Sequence, residues 1–182
     1  MAVVGSGGAG KTRFAARLGD LTGLPVIHLD HLHWKPGWVE TPREEWAAIV
    51  AAQAAGDRWI IDGNFAGTLE TRFARADTVI VLALSRWRCT ARALRRVIVN
   101  HGRETQAPGC PERFDASFLR WIWRYPTDGR RHVDAALERL DRTVAVVELR
   151  TPRAVRRYLS RRTPGGAAPP TRSDPPPATP VA

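Results

Sequence analysis

Short apolar runs, many of them rich in β-branched residues, alternate along this chain with longer stretches of helical period. Several runs are almost free of polar residues, as expected for parallel strands that are covered on both faces. They lie at residues 2–4, 25–29, 59–61, 78–84 and 143–149. The helical stretches begin at Lys11 and then cover residues 42–55, 66–75, 86–100, 116–125, 129–140 and 151–162. This alternation predicts an α/β domain, with a five-stranded parallel sheet and helices on both of its faces.

Two of the predicted helices open with the dipeptide Thr-Pro, at Thr41-Pro42 and at Thr151-Pro152. Threonine is a favoured N-cap, and proline suits the first helical position because it has no N–H to leave unpaired. Glu44 adds the glutamate of a capping box to the earlier helix. Both helices are therefore predicted to begin at these dipeptides.

The composition is that of one soluble domain, with 182 residues, 43% of them hydrophobic and 25% charged. No apolar run is long enough to span a membrane. Cys89 and Cys110 match no zinc or redox spacing, so reduced thiols in a cytoplasmic protein are expected. Residues 163–182 are rich in Pro, Gly and Ala and contain no aromatic residue, which predicts a disordered tail after a domain at 1–162.

The net charge of +10 is concentrated in the second half of the chain. Residues 86–162 carry nineteen arginines and eight acidic side chains, a net charge of +11, whereas residues 1–85 carry eight basic and nine acidic side chains. Such a basic region predicts a polyanionic ligand, which could be nucleic acid, anionic lipid or a phosphorylated small molecule.

The segment after the first predicted strand reads GSGGAGKT and matches the pattern GxxxxGK(S/T). Its glycines allow backbone N–H groups to turn toward phosphate oxygens, while the lysine supplies a cation and the threonine hydroxyl a ligand for Mg²⁺. The segment follows an apolar strand and opens an amphipathic helix, which is the context that this chemistry requires. We therefore predict an ATP·Mg²⁺ site made of Gly5, Ser6, Gly7, Gly8, Ala9, Gly10, Lys11 and Thr12.

Several classes of P-loop protein are disfavoured by motifs that the sequence lacks. The only lysines are Lys11 and Lys35, so no NKxD motif of a GTPase exists. No apolar strand ends in Asp-Glu, as the strands of motor ATPases do, and no LSGGQ signature of a transporter is present. The spacing of the glycines is instead that of small-molecule kinases.

Four further segments, HLDHLHWKPGW, TPREEW, IIDGN and APGCPERFDASFLRWIWR, resemble those of a group of small bacterial P-loop proteins. These are related to adenylate kinase and are often labelled "DNA topology modulation protein". The resemblance covers the chain except its tail. It implies the fold of the nucleoside and nucleotide kinases, with an acceptor-binding flap at about 30–55 and a short lid at about 101–113.

The kinase resemblance gives roles to two carboxylates at strand ends. Asp62, in the Asp-Gly turn after the third strand, would hold Mg²⁺ through water or accept a proton. The alternative for Asp62 is an Asx turn with a structural role alone. Asp30 follows the second strand and would face the acceptor hydroxyl as a base or anchor. His28 could line the same pocket, while His31 and His33 are placed on the outgoing loop, with a zinc site on the three histidines as the alternative.

The resemblance also implies that arginines after residue 85 stabilise the transferred phosphoryl group. Arg92 and Arg96, four residues apart on one helix, correspond to the paired arginines of nucleoside monophosphate kinases. Arg120 and Arg124 are the next candidates, and a solvated surface face is the alternative for each of them. Arg72 could hold an acceptor phosphate.

The predicted function is therefore an ATP-dependent phosphotransferase, with a nucleotide, nucleoside or other small phosphate- or hydroxyl-bearing compound as acceptor. The alternative is a nucleotide-dependent DNA-binding regulator, although no DNA-binding motif is present. Slow ATP hydrolysis alone is a third possibility. We expect no membrane partner, and either a monomer or a homodimer.

Overall fold

The computed structural model describes residues 1–140 and 143–162, so that the predicted tail at 163–182 lies outside the described residues. The strands are β1 (Ala2–Gly5), β2 (Val26–His28), β3 (Trp34–Lys35), β4 (Val39–Glu40), β5 (Ile60–Asp62), β6 (Thr78–Leu82), β7 (Glu104–Ala107), β8 (Cys110–Pro111) and β9 (Ala145–Leu149). The α-helices are α1 (Lys11–Thr22), α2 (Leu29–His33), α3 (Arg43–Ala54), α4 (Leu69–Arg75), α5 (Arg86–Asn100), α6 (Ala116–Arg124), α7 (Gly129–Glu138) and α8 (Pro152–Ser160). A 3₁₀ turn at Ala66–Thr68 precedes α4.

The five predicted strands form one sheet in the order β2-β5-β1-β6-β9, and every pair in it is parallel. The strands are short, and in a parallel sheet their carboxyl ends meet at one edge, where ligands of open α/β sheets bind. The predicted fold class is confirmed: a five-stranded parallel sheet with helices on both faces.

Alternate residues of the central strands supply two hydrophobic cores, one on each face of the sheet. Ala2 and Val4 of β1 belong to one core, whereas Val3 belongs to the other. The first core is covered by α3, α4 and α7, and the second by α1, α5, α6 and α8. Because both faces are buried, the strands can be apolar throughout, which is the pattern that the sequence shows.

The stretch HLDHLHW differs from the prediction. The strand ends at His28, and Leu29–His33 forms the short helix α2, so that Asp30 lies in the first turn of a helix, and His31 and His33 in its last turn rather than on a loop. Leu29 and His33 lie four residues apart on the buried face of this helix. Burial of these two side chains accounts for the helical turn.

The two Thr-Pro dipeptides also differ from each other. At α8 the Thr151 side chain accepts a hydrogen bond from the Ala154 N–H, and Pro152 follows it, as predicted. At α3 the predicted cap is wrong, because the Thr41 hydroxyl donates to the carbonyl of His33 at 2.8 Å instead. Thr41 thus fastens the end of α2 rather than the start of α3.

Two small hairpins cover one end of the molecule and contact each other. The acceptor-side hairpin comprises β3 and β4, within the predicted flap, and the lid-side hairpin comprises β7 and β8, within the predicted lid. The Gly37 N–H donates to the Gly109 carbonyl at 2.8 Å, and the Trp38 indole N–H donates to the Pro111 carbonyl at 2.9 Å. The Cys110 thiol donates to the Lys35 carbonyl at 3.3 Å.

Within the described residues, no helix combines the length and the apolar composition that a membrane crossing requires. Cys89 and Cys110 are both free and buried.

Exchanging Gly109 for alanine is expected to loosen the contact between the two hairpins. Gly109 has a φ of 71°, and a Cβ there would lie 2.8 Å from the Cβ of Pro36, so the hairpins would have to separate. Overpacking of this kind costs about 1–3 kcal/mol, which predicts about 5- to 150-fold faster hydrogen exchange at the Gly37 N–H.

Gly102→Ala provides the matched control, since Gly102 has a similar φ of 74° and no atom lies within 4 Å of its added Cβ. This variant should share the backbone strain without the collision and leave exchange at Gly37 close to that of the original protein. If both variants exchange equally at Gly37, the hairpins do not depend on this contact.

Candidate active site

The GSGGAGKT segment forms a turn between β1 and α1, at the carboxyl edge of the sheet. Gly8 has a φ of 73°, and a side chain there would collide with the carbonyl of Cys89 on α5. Among the described residues, the N–H groups of Gly7, Gly8 and Gly10 have no protein acceptor. Unpaired N–H groups at a helix N-terminus suit phosphate oxygens, so the turn fits the predicted triphosphate.

Asn64 fixes the start of this turn, and the sequence did not predict its role. Its side-chain amide accepts a hydrogen bond from the Gly5 N–H at 2.9 Å and donates one to the Gly5 carbonyl at 2.6 Å. The Tyr125 hydroxyl also donates to the Asn64 Oδ1 at 3.3 Å. The turn after β5 thereby holds the first residue of the phosphate-binding turn in place.

Arg72 is fully buried and binds the main chain of the turn after β5. Its guanidinium donates to the carbonyls of Gly63 at 2.9 Å, Thr68 at 3.3 Å and Phe65 at 3.5 Å, and also to that of Asn64. The predicted role for Arg72, binding an acceptor phosphate, is therefore wrong, because these carbonyls occupy its donors. Burial lowers the pKa of Arg72 to about 9, and nearby Asp62 opposes that change.

Lys11 lies in the centre of the site, with its ammonium donating to the Ser6 carbonyl at 3.1 Å. Burial lowers the pKa of Lys11, whereas the carboxylates of Asp30 and Asp62 raise it. The three residues come from different elements, namely α1, α2 and β5. The structure thus brings together the lysine and the two carboxylates that the sequence predicts.

Asp62 and His28 form a pair across neighbouring strands. Their Cα atoms are in register between β5 and β2, and the Nδ1 of His28 lies 3.0 Å from the Oδ1 of Asp62. The other carboxylate oxygen, Oδ2, is buried and has no partner among the described residues. An unpaired buried carboxylate oxygen is suited to accept a hydrogen bond from water on Mg²⁺, so Asp62 fits its predicted role.

Asp30 lies near the same charges, and burial raises its pKa while the Lys11 ammonium lowers it. A carboxylate with a raised pKa is a better proton acceptor near neutral pH, which suits a general base. The exposed Thr12 lies in the first turn of α1, next to Lys11, where a hydroxyl can reach a metal ion on the phosphates.

The histidines of HLDHLHW take different places. The His28 ring lies 5.2 Å from that of the exposed His31. His33 is buried instead among aromatic rings, 4.7 Å from Trp46 and 4.6 Å from Phe65. Within residues 1–140 and 143–162, no group of three or more His, Cys, Asp or Glu side chains is placed to hold a metal ion, which disfavours the zinc alternative.

The candidate arginines separate into two pairs. On α5, Arg92 donates to the Ala9 carbonyl of the phosphate-binding turn at 3.4 Å, and Arg96 lies one helical turn further. On α6, Arg120 and Arg124 are exposed, and Arg124 lies 2.9 Å from Asp128 in a surface ion pair. The structure therefore brings Arg92 to the phosphate-binding turn and leaves Arg120 and Arg124 on the surface, as in the alternative of a solvated face.

Comparisons with known proteins give distant structural matches only. No protein-family model matches the chain, and no curated protein matches it. A candidate kinase from Chloroflexus aurantiacus J-10-fl is 15% identical, with a TM-score of 0.49, and the match covers 87% of this chain and 94% of that one. An unliganded sugar kinase from Janibacter sp. HTCC2649 is 19% identical, with a TM-score of 0.47, covering 87% and 91%. At these identities and scores, the function has to be inferred from the site itself.

Replacing Arg72 by methionine is expected to destabilise the fold strongly. The methionine would remove hydrogen bonds to four carbonyls, among them the buried bonds to Gly63 and Thr68, at a cost of about 3–5 kcal/mol. Arg75→Met, on the same helix, is the control, because Arg75 is exposed and donates to one carbonyl, that of Ala55. Urea unfolding followed by circular dichroism measures both, and similar losses in the two variants would contradict the proposed role of Arg72.

The pair between His28 and Asp62 predicts a pH dependence of stability. The hydrogen bond with Asp62 raises the pKa of His28 above its ordinary value of 6.5, against the effect of burial. Protonated His28 therefore stabilises the folded state. This contribution is complete below about pH 6.5 and is lost as the pH rises through the higher pKa of the folded state.

An NMR titration of the His28 imidazole tests this assignment. Asp62→Asn should lower the pKa of His28, and His28→Gln should remove its part of the pH dependence of the unfolding free energy. His132→Gln, at an exposed position on α7, is the comparison variant. An unchanged pKa of His28 in Asp62→Asn would show that the pair does not control the titration.

Proposed function

We propose that this protein is an ATP-dependent phosphotransferase that acts on a small phosphate- or hydroxyl-bearing acceptor. The proposal is based on one observation: a phosphate-binding turn and two carboxylates lie together at the carboxyl edge of the sheet. The turn supplies unpaired N–H groups and Lys11, while Asp30 and Asp62 arrive from two other elements. Phosphoryl transfer requires these parts together.

The phosphate-binding turn and the lysine would hold the triphosphate of ATP. Lys11 would exchange its bond to the Ser6 carbonyl for the β- and γ-phosphate oxygens. Magnesium, when bound, would neutralise charge on these phosphates. The Thr12 hydroxyl would hold the ion directly, and Asp62 would hold it through water on its unpaired oxygen.

Asp30 would orient the acceptor and take up the proton of its hydroxyl group. The acceptor oxygen forms a bond to the γ-phosphorus, the bond between that phosphorus and the leaving ADP oxygen breaks, and the proton passes to the Asp30 carboxylate. His28 would hold Asp62 in position through its bond at 3.0 Å. Arg92, which donates to the Ala9 carbonyl of the phosphate-binding turn, would balance the negative charge of the transferred group.

The coarse function and the finer resemblance rest on different support. The site geometry supports phosphoryl transfer in general. The resemblance to the proteins labelled "DNA topology modulation protein" is supported by sequence segments alone. The lid and the flap also stay predictions.

Lys11→Ala is expected to lower ATP turnover by about 10²–10³-fold while the fold is retained. The only protein hydrogen bond of its ammonium within the described residues is to the Ser6 carbonyl, so the loss to stability should be small. Arg17→Ala removes an exposed cation from the same helix and should leave turnover unchanged. Turnover that survives in Lys11→Ala would overturn the assignment of the phosphate-binding turn.

A screen of ATP consumption over nucleosides, nucleotides and small hydroxylated metabolites identifies the acceptor. The DNA-binding alternative predicts a different outcome: salt-sensitive DNA binding that persists in Lys11→Ala, with no phosphoryl transfer to any acceptor. ATP consumption that no acceptor increases would instead favour hydrolysis alone.

A further inference from the structure

Glu112 is a buried carboxylate at the base of the lid-side hairpin, and it lies outside the predicted catalytic set. Only 2% of the residue is exposed. Its N–H donates to the Arg103 carbonyl at 2.8 Å, and its carbonyl accepts from the Gly102 N–H at 2.9 Å. The main chain therefore fixes this carboxylate in place, and a buried carboxylate of this kind is costly unless it is paired.

The carboxylate is paired with Arg96, one of the two candidate arginines of α5. The Nε of Arg96 lies 2.9 Å from the Oε1 of Glu112, an ion pair without the alignment of a good hydrogen bond. The Thr105 hydroxyl donates to the same oxygen. Within the described part of the chain, the terminal Nη nitrogens of Arg96 have no protein partner.

Arg96 lies four residues after Arg92 on α5, and therefore on the same face of that helix. Arg92, one turn earlier on α5, touches the phosphate-binding turn. Burial lowers the pKa of Lys11, and the guanidinium of Arg96 lowers it further. Burial raises the pKa of Asp30, and the same guanidinium opposes that rise. These effects are electrostatic, and they agree with the placement of Arg96 on the helix face that contacts the phosphate-binding turn.

We infer that Glu112 is a positioning residue, which holds the Nε side of Arg96 so that its two Nη groups face the transferring γ-phosphoryl group. The inference rests on the proposed phosphotransfer. An arginine side chain loses rotamer entropy when it is fixed, and the buried carboxylate removes part of that loss in advance. Thr105 in turn holds the carboxylate oxygen in place.

The test compares the binding of a non-hydrolysable ATP analogue and of ADP, because the analogue has the γ-phosphate and ADP does not. In Glu112→Gln we expect the Kd of the analogue to rise about tenfold and that of ADP to change less than twofold. ATP turnover should fall together with the affinity for the analogue. In an Arg96→Gln background, the same change at Glu112 should have little further effect, because Glu112 acts through Arg96.

Two further variants define the controls. Glu70→Gln breaks an exposed Arg–Glu pair, in which Arg139 lies 2.6 Å from Glu70, and should leave both affinities unchanged. Thr105→Val keeps the charge of Glu112 but removes its hydroxyl partner. It should weaken binding of the analogue about two- to threefold, and it tests the inference if Glu112→Gln fails to fold.

Each outcome separates this inference from the proposed function. If the original protein binds no ATP analogue, the proposed phosphotransfer fails and the inference fails with it. If the original protein binds the analogue and Glu112→Gln binds it equally or more tightly, Glu112 is a competing counter-ion and the inference alone is overturned. An equal loss of analogue and ADP affinity would likewise overturn it, because that result indicates a general structural role.

Discussion

The side-chain amide of Asn64 forms hydrogen bonds with both polar main-chain groups of Gly5, and the geometry of the site depends on these two bonds. Gly5 is the last residue of β1 and the first of the phosphate-binding turn, so the bonds link two neighbouring strand ends. Asn64 is itself held by Arg72, which binds its carbonyl and those of the adjoining turn. Phe65 in that turn has a left-handed φ of 35°, an uncommon conformation that a buried, multiply bonded arginine can maintain. The turn after β5, rather than the glycine-rich segment itself, therefore fixes the geometry of the site.

The charges around Lys11 show why a phosphate ligand would suit this site. Lys11, Arg92 and Arg96 form a cationic side, while Asp30 and Asp62 form an anionic side that meets it at the carboxyl edge of the sheet. Burial lowers the pKa of Lys11 and raises that of Asp30, so it disfavours both charges, and nearby opposite charges offset it. A triphosphate with its metal ion brings both signs of charge, so it can pair with each side at once. DNA would pair with the exposed arginines but would bring no positive charge to the carboxylates of Asp30 and Asp62.

The features that could be read from the sequence are those that depend on local pattern. The five strands are apolar because helices cover both faces, and the glycines, Lys11 and Thr12 have a spacing that only one geometry satisfies. The short helix α2 could not be read, because five residues are too few for a helical period and its stability comes from tertiary contacts. Thr41 carries a capping signature, yet the His33 carbonyl is close in space and takes its hydroxyl. The buried position of Arg72 was also hidden, since arginine is rarely buried and nothing in its neighbours along the chain indicates it.

The contact between the two hairpins connects the acceptor side of the site to the nucleotide side. Gly37 and Trp38 of the acceptor-side hairpin are bonded to the main chain of the lid-side hairpin, which also carries Glu112. In the proposed reaction, a cover made of the two joined hairpins would exclude water from both substrates together, and exclusion of water is what separates transfer to an acceptor from hydrolysis of ATP. Arg96 is paired with Glu112 of this lid-side hairpin, so the hairpins and the arginine proposed to face the γ-phosphoryl group would be held as one unit. In the proposed reaction, the hairpin contact would therefore act on the chemistry as well as on access to the site.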